Sequence, residues 1–146
     1  MMNKLLLATH LIFIGVWLGC VLTEALFERA LLGQGRDQER ILVGLHKRVD
    51  LVVEIPAFAI VLATGALMLA HAEPSAALHT KIGFGLVATA ANSYCIWIVF
   101  RRAQAATHGQ WERFAQLDHL QHKVGALVLL GILGALGIGV YLYARV

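Results

Sequence analysis

The stretch LLLATHLIFIGVWLGCVLTEALF, Leu5 to Phe27, decides the fold. It holds only three ionisable side chains, His10, Cys20 and Glu24. A hydrocarbon core about 30 Å thick is crossed by roughly 20 residues of helix, so this run is long enough to span a membrane. Three further apolar runs, at 51–70, 82–100 and 124–143, are of similar length. Backbone polar groups inside a bilayer must be satisfied within their own segment, which makes all four runs helices. No segment reads as a strand. The expected architecture is therefore all-α: an integral membrane four-helix bundle, with residues 1–146 forming a single domain.

Composition supports the same class. The chain is 59% hydrophobic and 14% charged, against about 45–50% and roughly 25% in a soluble globular domain. That balance excludes a soluble fold of this size. It also excludes disorder, which needs few hydrophobic residues and many charges. The two cysteines, Cys20 and Cys95, form neither a disulfide framework nor a C-x-x-C pair. The formal net charge is +3, and its basic residues cluster between the apolar runs. This is the pattern of a membrane surface and not of a nucleic-acid partner.

The connections spanning 28–50 and 101–123 carry Arg29, Arg36, Arg40, Lys47, Arg48, Arg101, Arg102, Arg113 and Lys123, against Lys4, Lys81 and Arg145 on the other side. The positive-inside tendency then places both connections in the cytoplasm and both termini on the periplasmic side of a bacterial inner membrane. Lys4 ahead of an apolar run resembles a secretory leader. The run continues to Phe27 with no small-x-small cleavage site, so it is expected to be retained. Ile41, Leu42, Leu45 and Val49, and again Trp111, Phe114 and Leu117, recur at helical spacing. Helices two and four are thus expected to extend two or three turns into the cytoplasm. Gly131, Gly134, Gly137 and Gly139 thin the fourth helix, for close helix packing or for a flat ligand.

Polar groups inside the hydrocarbon region are costly, and usually face the bundle interior and serve function. His10, Trp17 and Glu24 lie on one heptad stripe of the first helix. A neutral imidazole there is either a structural group bonded to a neighbouring helix or an axial ligand to haem iron. His71 and His79, beside Lys81, lie at the same end of the chain's spans, and His79 is a second candidate for that site. Lys81 is a candidate counter-charge for a propionate, or a snorkelling lysine. His46, Asp50 and Glu54 are spaced i, i+4, i+8, and His119 and His122 are spaced i, i+3. Facing helices that contribute histidines and carboxylates build metal sites, so His46, His119 and His122 are candidate ligands for copper or zinc; a solvated ion-pair face is the alternative. Glu24 and Glu54 are expected to be neutralised by Arg48, Arg101 or Arg102, and a proton-transfer role for Glu54 stays open.

His10-Leu-Ile-x-Ile-Gly-Val-Trp17, the pair Lys47-Arg48 followed by Pro56, and Leu78-His79-Thr80-Lys81 with Tyr94-Cys95 resemble the HemJ family. These are membrane protoporphyrinogen IX oxidases, themselves similar to the membrane domain of CopD-type copper-resistance proteins. The resemblance implies a b-type haem (heme b) held by a four-helix inner-membrane protein, a homodimer or a subunit of a larger membrane complex. It also implies an oxidoreductase passing electrons between a porphyrin or partner and quinone. It makes His10 the haem ligand, with Arg48 and Lys81 contacting haem or porphyrin carboxylates. The chain departs from that family at Asn92, His46 and Asp118-His119-Leu120-Gln121, and no residue is singled out as catalytic. Two other classes stand beside this one: a non-haem copper or zinc binding or transport protein, and a structural accessory subunit.

Overall fold

The computed structural model describes residues 4–144, so Arg145 lies outside the described residues. Every described element is helical: α1 is Lys4–Leu31, α2 Arg36–Val49, α3 Ile55–Leu69, α4 Ala76–Thr107 and α5 Trp111–Tyr143, with a π-helical segment Asp50–Glu54 joining α2 to α3. Four continuous helices, Lys4–Leu31, Arg36–Leu69, Ala76–Thr107 and Trp111–Tyr143, are long and apolar enough to cross a membrane. The extensions of the second and fourth helices are present. They start at Arg36 and Trp111 and so run nearer four turns than three. The third helix also continues past Phe100 to Thr107, an extension that the apolar run did not signal because Arg101, Arg102 and Gln104 interrupt it.

The chain forms two compact units, residues 1–73 and 74–146. In the first, α1 runs antiparallel to the helix made of α2, the π segment and α3. The contacting pairs descend in register: His10 with Thr64, Trp17 with Phe58, and Glu28 with His46. In the second, α4 and α5 form an antiparallel hairpin turned at Gly109, whose φ of 68° suits a residue without a Cβ.

The α4–α5 seam is built on small residues. A Cβ placed on Gly131 would lie 2.8 Å from the Ala88 Cβ and 2.9 Å from its backbone nitrogen, and one on Gly134 would lie 2.5 Å from the Phe84 ring. These two glycines are therefore taken up by helix packing, the first of the two uses expected for them. Gly137, by contrast, has open space where a side chain would go. At the other end of the hairpin the Arg102 guanidinium, 1% exposed, donates to Gln121 Oε1 at 2.7 Å, pairs with Asp118 Oδ1 at 3.2 Å and lies 5.0 Å from the centre of the Phe114 ring.

Pro56 explains the π segment. Proline has no N–H to offer the carbonyl one turn back, and its ring crowds that carbonyl. The ladder widens instead, and the Ile55 N–H reaches the Asp50 carbonyl five residues away. The sequence pattern anticipates an unbroken helix here, and the residues ahead of Pro56 do not announce where the extra residue is absorbed.

Candidate functional site

The first unit carries a seam of polar side chains along its whole length. On α1 the buried residues are His10, Trp17, Cys20 and Glu28, with half-buried Glu24 between the last two. These positions recur every three, four or seven residues, the spacing of a single helix face. Facing them are His46, Asp50, Glu54, Ala57, Val61 and Thr64, all buried. In an uninterrupted α-helix each step of four residues advances about 40° around the axis. The wider π turn lags that advance, so Glu54 swings back into line with His46 and Asp50 and all three stay on α1.

At one end His10 is 7% exposed, and its Nδ1 lies 2.8 Å from the Thr64 hydroxyl oxygen. That hydroxyl has a single proton, donated to the Ile60 carbonyl at 2.7 Å. The Thr64 oxygen therefore accepts from His10 Nδ1–H, which puts the ring lone pair on Nε2. Gly65 leaves room for the ring, since a Cβ there would stand 3.3 Å from His10 Cε1.

At the other end lie the acids. Glu24, Asp50 and Glu54 each offer a carboxylate oxygen within 4.8 Å of the others. Asp50 and Glu54 are 1% and 2% exposed, and Asp50 Oδ2 and Glu54 Oε2 have no hydrogen-bond partner. Among the described residues no lysine, arginine or histidine forms an ion pair with any of the three. The expected neutralisation by Arg48, Arg101 or Arg102 is thus not what is found. Arg48 is exposed, Arg101 lies over the Trp97 ring at 5.5 Å, and Arg102 is committed to Asp118 and Gln121. Three carboxylates this close and this far from water need compensating positive charge, either protons or a cation. One turn beyond them, His46 Nε2 lies 3.5 Å from Glu28 Oε1, with the Phe27 ring centre 6.4 Å from the imidazole.

The remaining sequence candidates are dispersed. His46 and His10 belong to the same seam, but the eighteen residues of α1 between the levels of His10 and Glu28 separate them by about 27 Å. Arg48 lies near the His46 end. His79 is exposed near the start of α4. The Lys81 stem lies along Gly139 of α5, its Nζ 3.4 Å from where a Cβ would be, as a snorkelling lysine does. His119 is exposed on α5, and His122 donates from Nδ1 to the Asp118 carbonyl at 2.9 Å. His46 is in the first unit and His119 and His122 are in the second, so neither unit by itself brings the three together. Thr64 and Glu28 are functional neighbours that sequence reasoning missed. Both sit at the right helical step from residues it did find: Thr64 ten residues after Glu54, and Glu28 four after Glu24.

Fold and seam together define a multi-pass helical membrane protein with a histidine and an uncompensated acidic cluster buried between two of its spans. Within that class no family model, curated protein sequence or solved structure matches the chain.

Proposed function

We propose that the protein is a redox protein of the bacterial inner membrane that holds a b-type haem through His10 and exchanges electrons with quinone, a porphyrin or a partner enzyme. The observation that carries this reading is the hydrogen bond from His10 Nδ1 to Thr64. Metal-ligating histidines characteristically donate their other ring N–H to a fixed acceptor, which sets the tautomer and orients the ring. Here that acceptor is anchored in turn on a helix carbonyl. The imidazole, its tautomer and its burial in an apolar span all suit iron. Haem would supply one-electron chemistry, and the chain would contribute ligation and exclusion of water. The HemJ-like motifs around His10 and Lys47-Arg48 support the same assignment. The acids of the seam suit the proton or cation uptake that keeps a buried electron carrier neutral. Absorption spectra of the purified protein test this: a Soret band and a sharp α band on reduction are expected, and both disappear in His10→Ala. A colourless wild-type protein purified from haem-replete cells would overturn it.

A second reading has its own observation, the convergence of Glu24, Asp50 and Glu54. Three oxygen donors make a site for a hard divalent cation or zinc, and a poor one for copper(I), which prefers sulfur. Elemental analysis after dialysis would support it by finding zinc, manganese or magnesium at a stoichiometry that falls in Glu54→Gln. Iron as the sole metal, unchanged in that variant, would exclude it.

A further inference from the structure

The turn between α4 and α5 encloses a cavity of about 180 Å³ lined by Arg101, His108 and Arg113 together with Gln104, Ala105 and Gln110, and no carboxylate lines it. Arg101 is held by contact with the Trp97 ring at 5.5 Å, and Trp97 stacks on Tyr94 with ring centres 5.6 Å apart. Its hydrogen bond to Gln104 Oε1 is long, at 3.4 Å, and its buried Nε has no hydrogen-bond partner. Neither Arg101 nor Arg113 forms an ion pair among the described residues. His108 donates from Nδ1 to the Gln104 carbonyl at 2.8 Å, which makes it a fixed wall of the cavity. Helix α5 begins at Trp111 with no side chain capping it, so the first-turn amides beside Arg113 add partial positive charge at the same place.

We infer that this cavity binds a phosphate group, either that of an anionic lipid headgroup or a soluble phosphate. Two guanidiniums without acidic partners are the usual equipment for phosphate, which they bind through paired N–H donors. The Arg101 end of the cavity is the side nearest the membrane, while His108 and Arg113 lie further out along the helix extensions. Tyr94 and Trp97 are exposed aromatics of the kind that sit at headgroup level, and Arg101 follows them one turn further along α4. Basic pockets at the ends of transmembrane helices are known to take lipid phosphates. This inference does not depend on haem.

The test uses the full chain in detergent, probed with phosphatidylglycerol, with phosphatidylcholine and with inorganic phosphate, and read by native mass spectrometry and thermal melting. Phosphatidylglycerol is expected to be retained through delipidation and to raise the melting midpoint, while phosphatidylcholine does neither. Retention falls about thirtyfold in Arg101→Gln/Arg113→Gln, from two lost charges near the surface. Arg113→Gln alone, at an exposed position outside the Trp97 stack, is expected to lose part of the effect, which guards against misfolding of the double variant. Arg40→Gln removes the same charge elsewhere and is expected to change nothing. Displacement of the lipid by inorganic phosphate identifies the phosphate as the whole determinant; binding of the lipid without such competition assigns the site to lipid. Equal retention of both lipids, or retention unchanged in the double variant, overturns the proposal.

Discussion

The two units solve the problem of polar groups in an apolar environment in opposite ways. In the second, Arg102, the one buried basic side chain among the described residues, has a carboxylate, an amide oxygen and an aromatic face around it. Elsewhere in that seam Gly131 lies against Ala88 and Gly134 against the Phe84 ring, with Ile98, Val128 and Ile132 buried. In the first, three carboxylates converge with no ion-paired lysine, arginine or histidine among the described residues, and a histidine is tied to a threonine near one end of an apolar span. A buried charge with an opposite charge beside it holds helices together, whereas buried like charges without one cost stability. The contrast separates an α4–α5 hairpin whose buried charge is paired from an α1–α3 seam whose buried carboxylates are not.

The comparison breaks most sharply at Arg102. Replacing it with methionine leaves Asp118 only the exposed His122, 3.7 Å away, and a loss of about 3 kcal/mol is expected in detergent-titrated unfolding, in the range for breaking a buried pair. A loss below about 1 kcal/mol would remove the case for a charge-paired scaffold. Gly131→Val comes next. Its first added carbon already meets Ala88 backbone at 2.9 Å, so helix separation should cost about 2 kcal/mol, typical of overpacking. Survival through heating, followed by size-exclusion chromatography, reads the difference. On the other unit the sign should reverse. Glu54→Gln or Asp50→Asn relieves like-charge crowding, so each variant should melt at or above the wild-type temperature while losing electron-transfer turnover or bound cation. Melting well below wild type would show that the acids are structural. The smallest effect on stability belongs to Thr64→Val, about 1 kcal/mol for one hydrogen bond. Its larger consequence is on ligation: loss of the His10 N–H acceptor should weaken haem retention by about 10–100-fold, the usual cost of removing such a partner. Haem content unchanged across a hemin titration would separate Thr64 from the site.

Much of this was legible in the residues. The four spans follow from apolar run length alone, as do the extensions at Ile41–Val49 and Trp111–Leu117, whose periodicity is strong. The inward stripe of His10, Trp17 and Glu24 could be seen because a heptad returns to one helix face. The alignment of His46, Asp50 and Glu54 was visible as a spacing, but its geometry was not, since the π turn that holds the three in line is a response to Pro56 within the helix ladder. Which arginine met which acid was also hidden. Arg48, Arg101 and Arg102 look equivalent in sequence, yet only Arg102 is buried and paired.

What the chain determined by itself is that it is helical and membrane-spanning, because run length and hydropathy act locally on every backbone group regardless of partners. Tertiary structure alone decided that Thr64 accepts a hydrogen bond from His10, that Gly131 packs against Ala88, and that Glu24, Asp50 and Glu54 share one space. Those outcomes depend on register between helices far apart in sequence, where a shift of one residue turns a side chain about 100° away from its neighbour.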